Sequence, residues 1–257
     1  MASSDPSPAG VRRQVAVLAP LPLELDAVVA AFGLVPSDGG ADDDGTWTGR
    51  CGGSAVTAVR IGMGPGPAAT ATARLLDSAA SAGAPVDHVM VVGICGGLDP
   101  GIDVGTVLAP ERVVDHTTGD TYRPAPTTGG DRTGALVTTE CVHVDDGLSR
   151  RLLADGALGV DMESAAVARV CEERRRPWSV HRCISDRWVD GLLDPRVVAL
   201  TDADGTTDVE ALGRLLTDEP ELLPRLEQLG ADSVLAARRA AGDAVRACLA
   251  LDATPGG

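Results

Sequence analysis

Four short apolar runs constrain this chain more than anything else in it: VAVLA at 15–19, AVTAVRIG at 55–62, HVMVVG at 88–93 and WSVHRCIS at 178–185. Val-rich runs of this length are the mark of strands buried on both faces. The first passes through Pro-Leu-Pro into LELDAVVAAF, where a proline in the first turn and early acids suit a helix N-terminus. The second passes through GMGPGP into an Ala/Thr-rich helix near 67–82. Further strands are predicted at 107–114 (VLAPERVV) and 135–139 (ALVTT), and further helices near 161–173, 207–217, 219–229 and 232–251. Strands alternating with helices predict an α/β fold around a mostly parallel sheet. The polar stretches 35–46 and 115–134 read as loops, the second long enough to be functional. With no internal repeat and no linker, the pattern predicts one domain over 14–251, a disordered 1–13 and a short tail at 252–257.

Bulk properties narrow the function. A chain of 257 residues buries a core without help from disulfides or metal. Its net charge of -15 argues against nucleic acid as a partner, since a phosphate backbone needs a basic patch. All 22 basic residues are arginine, which reads as codon bias. Six scattered cysteines form no CxxC pair and no ligand spacing with the four histidines, so neither structural zinc nor a cofactor is expected. Reduced thiols fit a cytoplasmic protein. The polar N-terminus lacks the apolar stretch of a signal peptide, and no run approaches the ~18–20 apolar residues of a membrane span.

Ligands of open α/β sheets lie beyond the carboxyl ends of the strands. Four such places stand out: Pro20 to Glu24, Gly62 to Pro67, Gly93 to Gly97, and Ser185-Asp186. Their order and pattern predict a shared crevice. GMGPGP is not a dinucleotide loop, because Pro67 occupies the third glycine position, and no P-loop lysine exists in the chain. A tight turn that lets a helix pack closely is the plainer reading. GICGG has the spacing of a nucleophile elbow with Cys95 in place of serine, which would make a cysteine hydrolase with His116 or His143. Against it, a cysteine after so apolar a strand is usually inert packing. Asp161 and Glu163 open an Ala/Val helix, where acids complement the helix dipole. Asp186, at a strand end, suits a helix N-cap equally well.

The stretch GALGVDMESAAVARVCEERRRPWSVHRCISD resembles the signature of the nucleoside phosphorylase/nucleosidase superfamily, which includes methylthioadenosine/S-adenosylhomocysteine nucleosidase. VAVLAPLPLELDAV, VRIGMGPGPAATATARLL and VMVVGICGGLDPGIDVGTVLAPERVVDH fit the same family in the same order, over about residues 14 to 190. The 191–251 tail is similar to the hopanoid-associated phosphorylase branch. The resemblance implies a three-layer α/β sandwich with a central mixed, mostly parallel, partly barrel-like sheet. It also implies roles. Asp186 matches the acid that protonates a departing purine, with Ser185 and Arg182 holding it. Glu163 matches the carboxylate that grips the ribose hydroxyls, and Met162 the apolar contact beneath the sugar. Glu24 matches the base that activates water. Cys141 and Val142 fall near the segment whose backbone reads the purine edge, and Ile94 and Cys95 lie where the strand-end loop meets substrate.

Cleavage of an N-glycosidic bond passes through an oxocarbenium-like state, so an acid at the base and carboxylates around the sugar meet both developing charges. On this logic the two carboxylates are pushed in opposite directions: burial raises the Asp186 pKa while Glu24 stays ionised as a base. The resemblance leaves water or phosphate as the attacking group. The arginines that bind phosphate in the trimeric phosphorylases are replaced here by Val91 and the APLPLE loop, and Ile94 replaces a serine. Hydrolysis is favoured, with Arg60 or Arg123 as other sources of phosphate binding. The nucleosidase aromatics expected near 113–116 read Val113, Val114, Asp115 and His116, so the 5′ group differs from methylthio. The expected partner is a small adenine nucleoside and the expected assembly a homodimer. The remaining alternatives are the Cys95 hydrolase and a non-catalytic purine-binding module.

Overall fold

The computed structural model describes residues 13–37, 45–127, 129–140, 146–192, 194–202 and 206–253. The apolar runs become strands, and short β-branched segments between them add more. In chain order the strands are β1 (Arg13–Ala19), β2 (Val35–Pro36), β3 (Trp47–Cys51), β4 (Ser54–Arg60), β5 (His88–Gly97), β6 (Val107–Asp115), β7 (Thr121–Tyr122), β8 (Arg132–Thr138), β9 (Ala157–Asp161) and β10 (Trp178–Arg187). The helices are α1 (Pro22–Phe32), α2 (Pro65–Ser81), α3 (Asp146–Ala154), α4 (Ser164–Glu173), α5 (Pro195–Val198), α6 (Val209–Asp218) and α7 (Leu222–Ala253).

One mixed sheet joins the strands. β5 pairs with β10, β10 with β6, β6 with β8, β8 with β9, and β9 returns to β5, so these five close into a barrel-like ring. β1, β4, β3 and β2 extend it as an open wing from β5. The long ladders, β1 with β4 and β5 with β10, are parallel. Side chains alternate across a strand, so both faces of the wing are apolar. Ala16 and Leu18 of β1, with Val89 and Val91 of β5, pack under α2 and α4. Val15, Val17 and Ala19, with Met90 and Val92, pack under α1 and α7. The three layers follow from that alternation.

With aromatic residues at 2%, small side chains fill the second face. Ala236, Ala240, Ala241, Ala244 and Cys248 of α7 are fully buried, a stripe at helical spacing that lets the backbone come close to the sheet. A third cluster, Leu98, Ala135, Val137, Leu152 and Ala157, joins the barrel to α3. Among the described residues no helix is long and apolar enough to cross a membrane.

Several expectations are corrected. The predicted 161–173 helix begins at Ser164, because Asp161 closes β9 and its carboxylate accepts the Ser164 N–H at 3.2 Å. The strand His88–Gly97 runs past Gly93, where a stop was expected, since its ladder with β10 continues to Arg187↔Gly97. The two helices predicted at 219–229 and 232–251 are one, α7. Gly230 between them costs only ~1 kcal/mol in a helix, which packing overrides. The 115–134 loop carries β7, paired with β6. The segment 1–12 lies outside the described residues, as do Cys141 and Val142.

Candidate active site

All four strand-end segments meet in one cavity of about 370 Å³, a size suited to a small ligand. Pro20, Leu21 and Glu24 come from the first, Met63 from the second, Ile94 to Gly97 from the third, and Ser185 and Asp186 from the fourth. Asp161, Met162 and Glu163 complete the acidic side.

Arg182 organises that side. It is fully buried and ion-pairs with Asp161 at 2.9 Å, Glu163 at 2.9 Å and Glu24 at 3.4 Å. Burial works against its charge, and the three carboxylates together outweigh it, so its pKa lies above the ordinary arginine value. Each carboxylate has further donors. Glu24 Oε2 accepts the Leu21 N–H at 2.6 Å, closing the first turn of α1, and Oε1 accepts the Ile94 N–H at 2.7 Å. Glu163 Oε1 accepts the Gly64 N–H at 2.8 Å, from a backbone with φ 91 that favours glycine. Asp161 accepts Thr138 Oγ1–H at 2.7 Å and the Ser164 hydroxyl. The cluster needs a glycine beneath it: a Cβ on Gly93 would overlap the Glu24 carboxylate and come within 2.5 Å of Arg182 Nη1.

One arginine cannot balance three ionised carboxylates, and the excess appears as proton affinity. Burial pushes Glu163 up to about 7, with Arg182 and the Gly64 N–H pulling it back. Burial also raises Glu24, against Arg182 and its two backbone donors. The expectation that Glu24 and Asp186 shift in opposite directions is therefore corrected. Both rise, which makes Glu24 a stronger proton acceptor rather than a weaker one.

Asp186 stands apart from Arg182. Burial raises its pKa, partly offset by Ser185, with Asp190 and Asp232 adding to the rise. The Ser185 hydroxyl donates to Oδ1 at 2.7 Å and leaves Oδ2 without a hydrogen-bond partner among the described residues. Oδ2 lies over Gly96, 3.7 Å from where a Cβ would stand. The sequence reading had Arg182 holding Asp186. The structure gives that task to Ser185 and assigns Arg182 to the carboxylates across the cavity. Asp161 was seen only as a helix acid, and its place two residues before Glu163 on an extended strand end was the missed signal.

Cys95 borders the cavity but is only 3% exposed and packs in the first core. Burial pushes its thiol well above the ordinary cysteine range, opposite to what a nucleophile needs. Neither Arg60 nor Arg123 lines this cavity, and Arg123 borders a separate one of about 560 Å³. Among the described residues Arg187 is the one arginine on the wall, and it is paired with Asp190 at 2.8 Å.

A five-strand barrel with an open wing, helices on both faces and a carboxylate-rich cavity at the strand ends define the architecture. The phosphorylase superfamily model matches residues 14–155 and 132–218, and the chain belongs to that superfamily. No curated protein matches by sequence. Among solved structures, 5'-methylthioadenosine/S-adenosylhomocysteine nucleosidase from S. pneumoniae, bound to a transition-state inhibitor, matches with a TM-score of 0.69 and 17% identity over 93% of this chain and 100% of that one. The Neisseria meningitidis nucleosidase in complex with methylthio-immucillin-A gives 0.66 and 19% over 93% and 99%. Futalosine hydrolase of Helicobacter pylori gives 0.64 and 15% over 94% and 98%. At these identities the likeness is one of fold.

Proposed function

We propose that the chain hydrolyses the N-glycosidic bond of an adenine nucleoside with a modified 5′ position, releasing the free base. The observation that carries this reading is a carboxyl with a raised pKa and one free oxygen, Asp186 Oδ2, that lines the same cavity as a set of carboxylates held by Arg182.

The roles follow from charge. Neutral Asp186 delivers its proton to the five-membered ring of the purine as the bond breaks, with Ser185 fixing the carboxyl. Glu163 takes the ribose hydroxyls and Met162 lies beneath the sugar. Glu24 accepts a proton from the attacking water, while the carboxylates stabilise the positive charge on the sugar. The balance of charge favours water over phosphate. Among the described residues four carboxylates line the cavity against one arginine, already paired, so a phosphate dianion would meet no free cation among them. The reading carries with it a homodimer in the cytoplasm. Among the described residues five buried free cysteines support the reducing compartment.

The test is incubation with 5′-methylthioadenosine, S-adenosylhomocysteine, adenosine and 5′-deoxyadenosine, each with and without phosphate. Adenine and free sugar appearing at the same rate in both arms is the expected result. Sugar 1-phosphate formed only with phosphate would sink the hydrolytic reading, and no adenine from any substrate would sink the purine reading. Sedimentation at micromolar concentration checks the dimer.

A further inference from the structure

We propose that Trp188 is the platform on which the purine stacks, an inference that rests on the purine reading above. The chain has only three Trp, one Tyr and one Phe, and most of them serve the cores. Phe32 and Trp178 are buried in them, while Trp47 and Tyr122 pack against them. Trp188 is the one aromatic side chain on the cavity wall among the described residues.

Its position fits the task. The backbone is extended through Arg187, at φ -121 and ψ 139, so the side chains of Asp186 and Trp188 leave the chain on the same side. A base engaged by Asp186 therefore has the indole beside it. The ring is also held before any ligand arrives. Its Nε1–H donates to the Leu98 carbonyl at 2.7 Å, its body packs on the third apolar cluster, and the Arg150 guanidinium lies over one face of the ring, 5.8 Å from its centroid. A pre-oriented ring gives stacking without an ordering cost on binding.

The experiment titrates adenine against tryptophan emission in the wild type, W188F and W188A, and measures KM and kcat with 5′-methylthioadenosine. Stacking lost to alanine corresponds to roughly 5- to 150-fold in affinity. Adenine is expected to quench the wild type and not W188F, whose phenyl ring keeps KM within about threefold. W188A is expected to raise KM at least about fivefold on the same scale, with a smaller change in kcat. Phenylalanine preserves a packing ring, so W188F keeps the test informative where W188A fails to fold. An unchanged quench in W188F, or an unchanged KM in W188A, overturns the platform while adenine release by the wild type leaves the proposed function standing. A wild type that neither releases nor binds adenine overturns both.

Discussion

His181 and Arg182 are neighbours on β10, both fully buried, and they build two polar networks of opposite character. His181 Nδ1–H donates to Asp243 Oδ2 of α7 at 2.7 Å, leaving Nε2 as an acceptor 3.1 Å from Ser179 Oγ. Ser179 in turn accepts from His88 Nε2–H at 2.9 Å. Every proton in that chain has one place to go. The Asp–His–Ser order is that of a hydrolase triad, yet Ser179 is 2% exposed and lines neither cavity. Its work is to pin α7 to the sheet. The Arg182 network has three carboxylates for one cation and opens onto a cavity. Charge left unbalanced beside an accessible space marks chemistry, and charge closed off and satisfied marks structure.

The comparison breaks most sharply at Asp186. Asp186→Asn keeps the bond from Ser185 and removes the transferable proton, so kcat should fall roughly 10²–10⁴-fold with unfolding unchanged. Adenine release at the wild-type rate would leave the acid role without support. Next in size is Arg182→Met, which strands Glu24, Asp161 and Glu163 in the interior. Removing one partner of a buried ion pair costs about 3–5 kcal/mol, so both stability and activity should drop. A variant as stable as the wild type in urea would mean that protonation rather than ion pairing holds the carboxylates.

How far the sequence carried these distinctions depends on range. The long buried strands were readable because runs such as VAVLA and HVMVVG carry their burial locally, whereas β2, β3 and β7 were not read. The family resemblance added the barrel and pointed to Glu24, Glu163 and Asp186. What could not be read was which face of β10 each residue takes, since WSVHRCIS is buried throughout and one step in register separates a relay from an active site. β9 was missed because ALGVD has little strand propensity and exists through its ladders with β5 and β8. The resemblance tied Arg182 to Asp186, whereas its partners come from α1 and the β9–α4 junction.

The closed network should reveal itself through acid. Burial, with smaller contributions from neighbouring His181 and Arg13, pulls the His88 pKa from 6.5 down to about 4. The folded state thus binds fewer protons than the unfolded state between those values, and stability falls as pH drops from 6.5 through 4. A shift of that size corresponds to about 3 kcal/mol once both states are protonated. His88→Asn should remove this part of the acid sensitivity, as read from urea midpoints at pH 7 and pH 4, while kcat at pH 7 stays unchanged. Should kcat fall with it, the two networks are coupled and the division between them is wrong.

Cys95 gives the smallest expected effect and the cleanest control, because it touches the cavity wall while belonging to the core. Its thiol packs 3.3 Å from where a Cβ on Gly159 would stand, facing the barrel rather than an incoming substrate. The sheet histidines are engaged elsewhere, His88 with Ser179 and His181 with Asp243, so neither is placed to draw its proton. Cys95→Ala should cost about 1 kcal/mol of stability, as for a small core truncation, and leave adenine release within a few fold. Alkylation of the folded protein at pH 8 should be slow, since burial holds the thiol protonated. Loss of activity on alkylation, matched by loss in the alanine variant, would return the catalytic role to the nucleophile elbow and take it from Asp186.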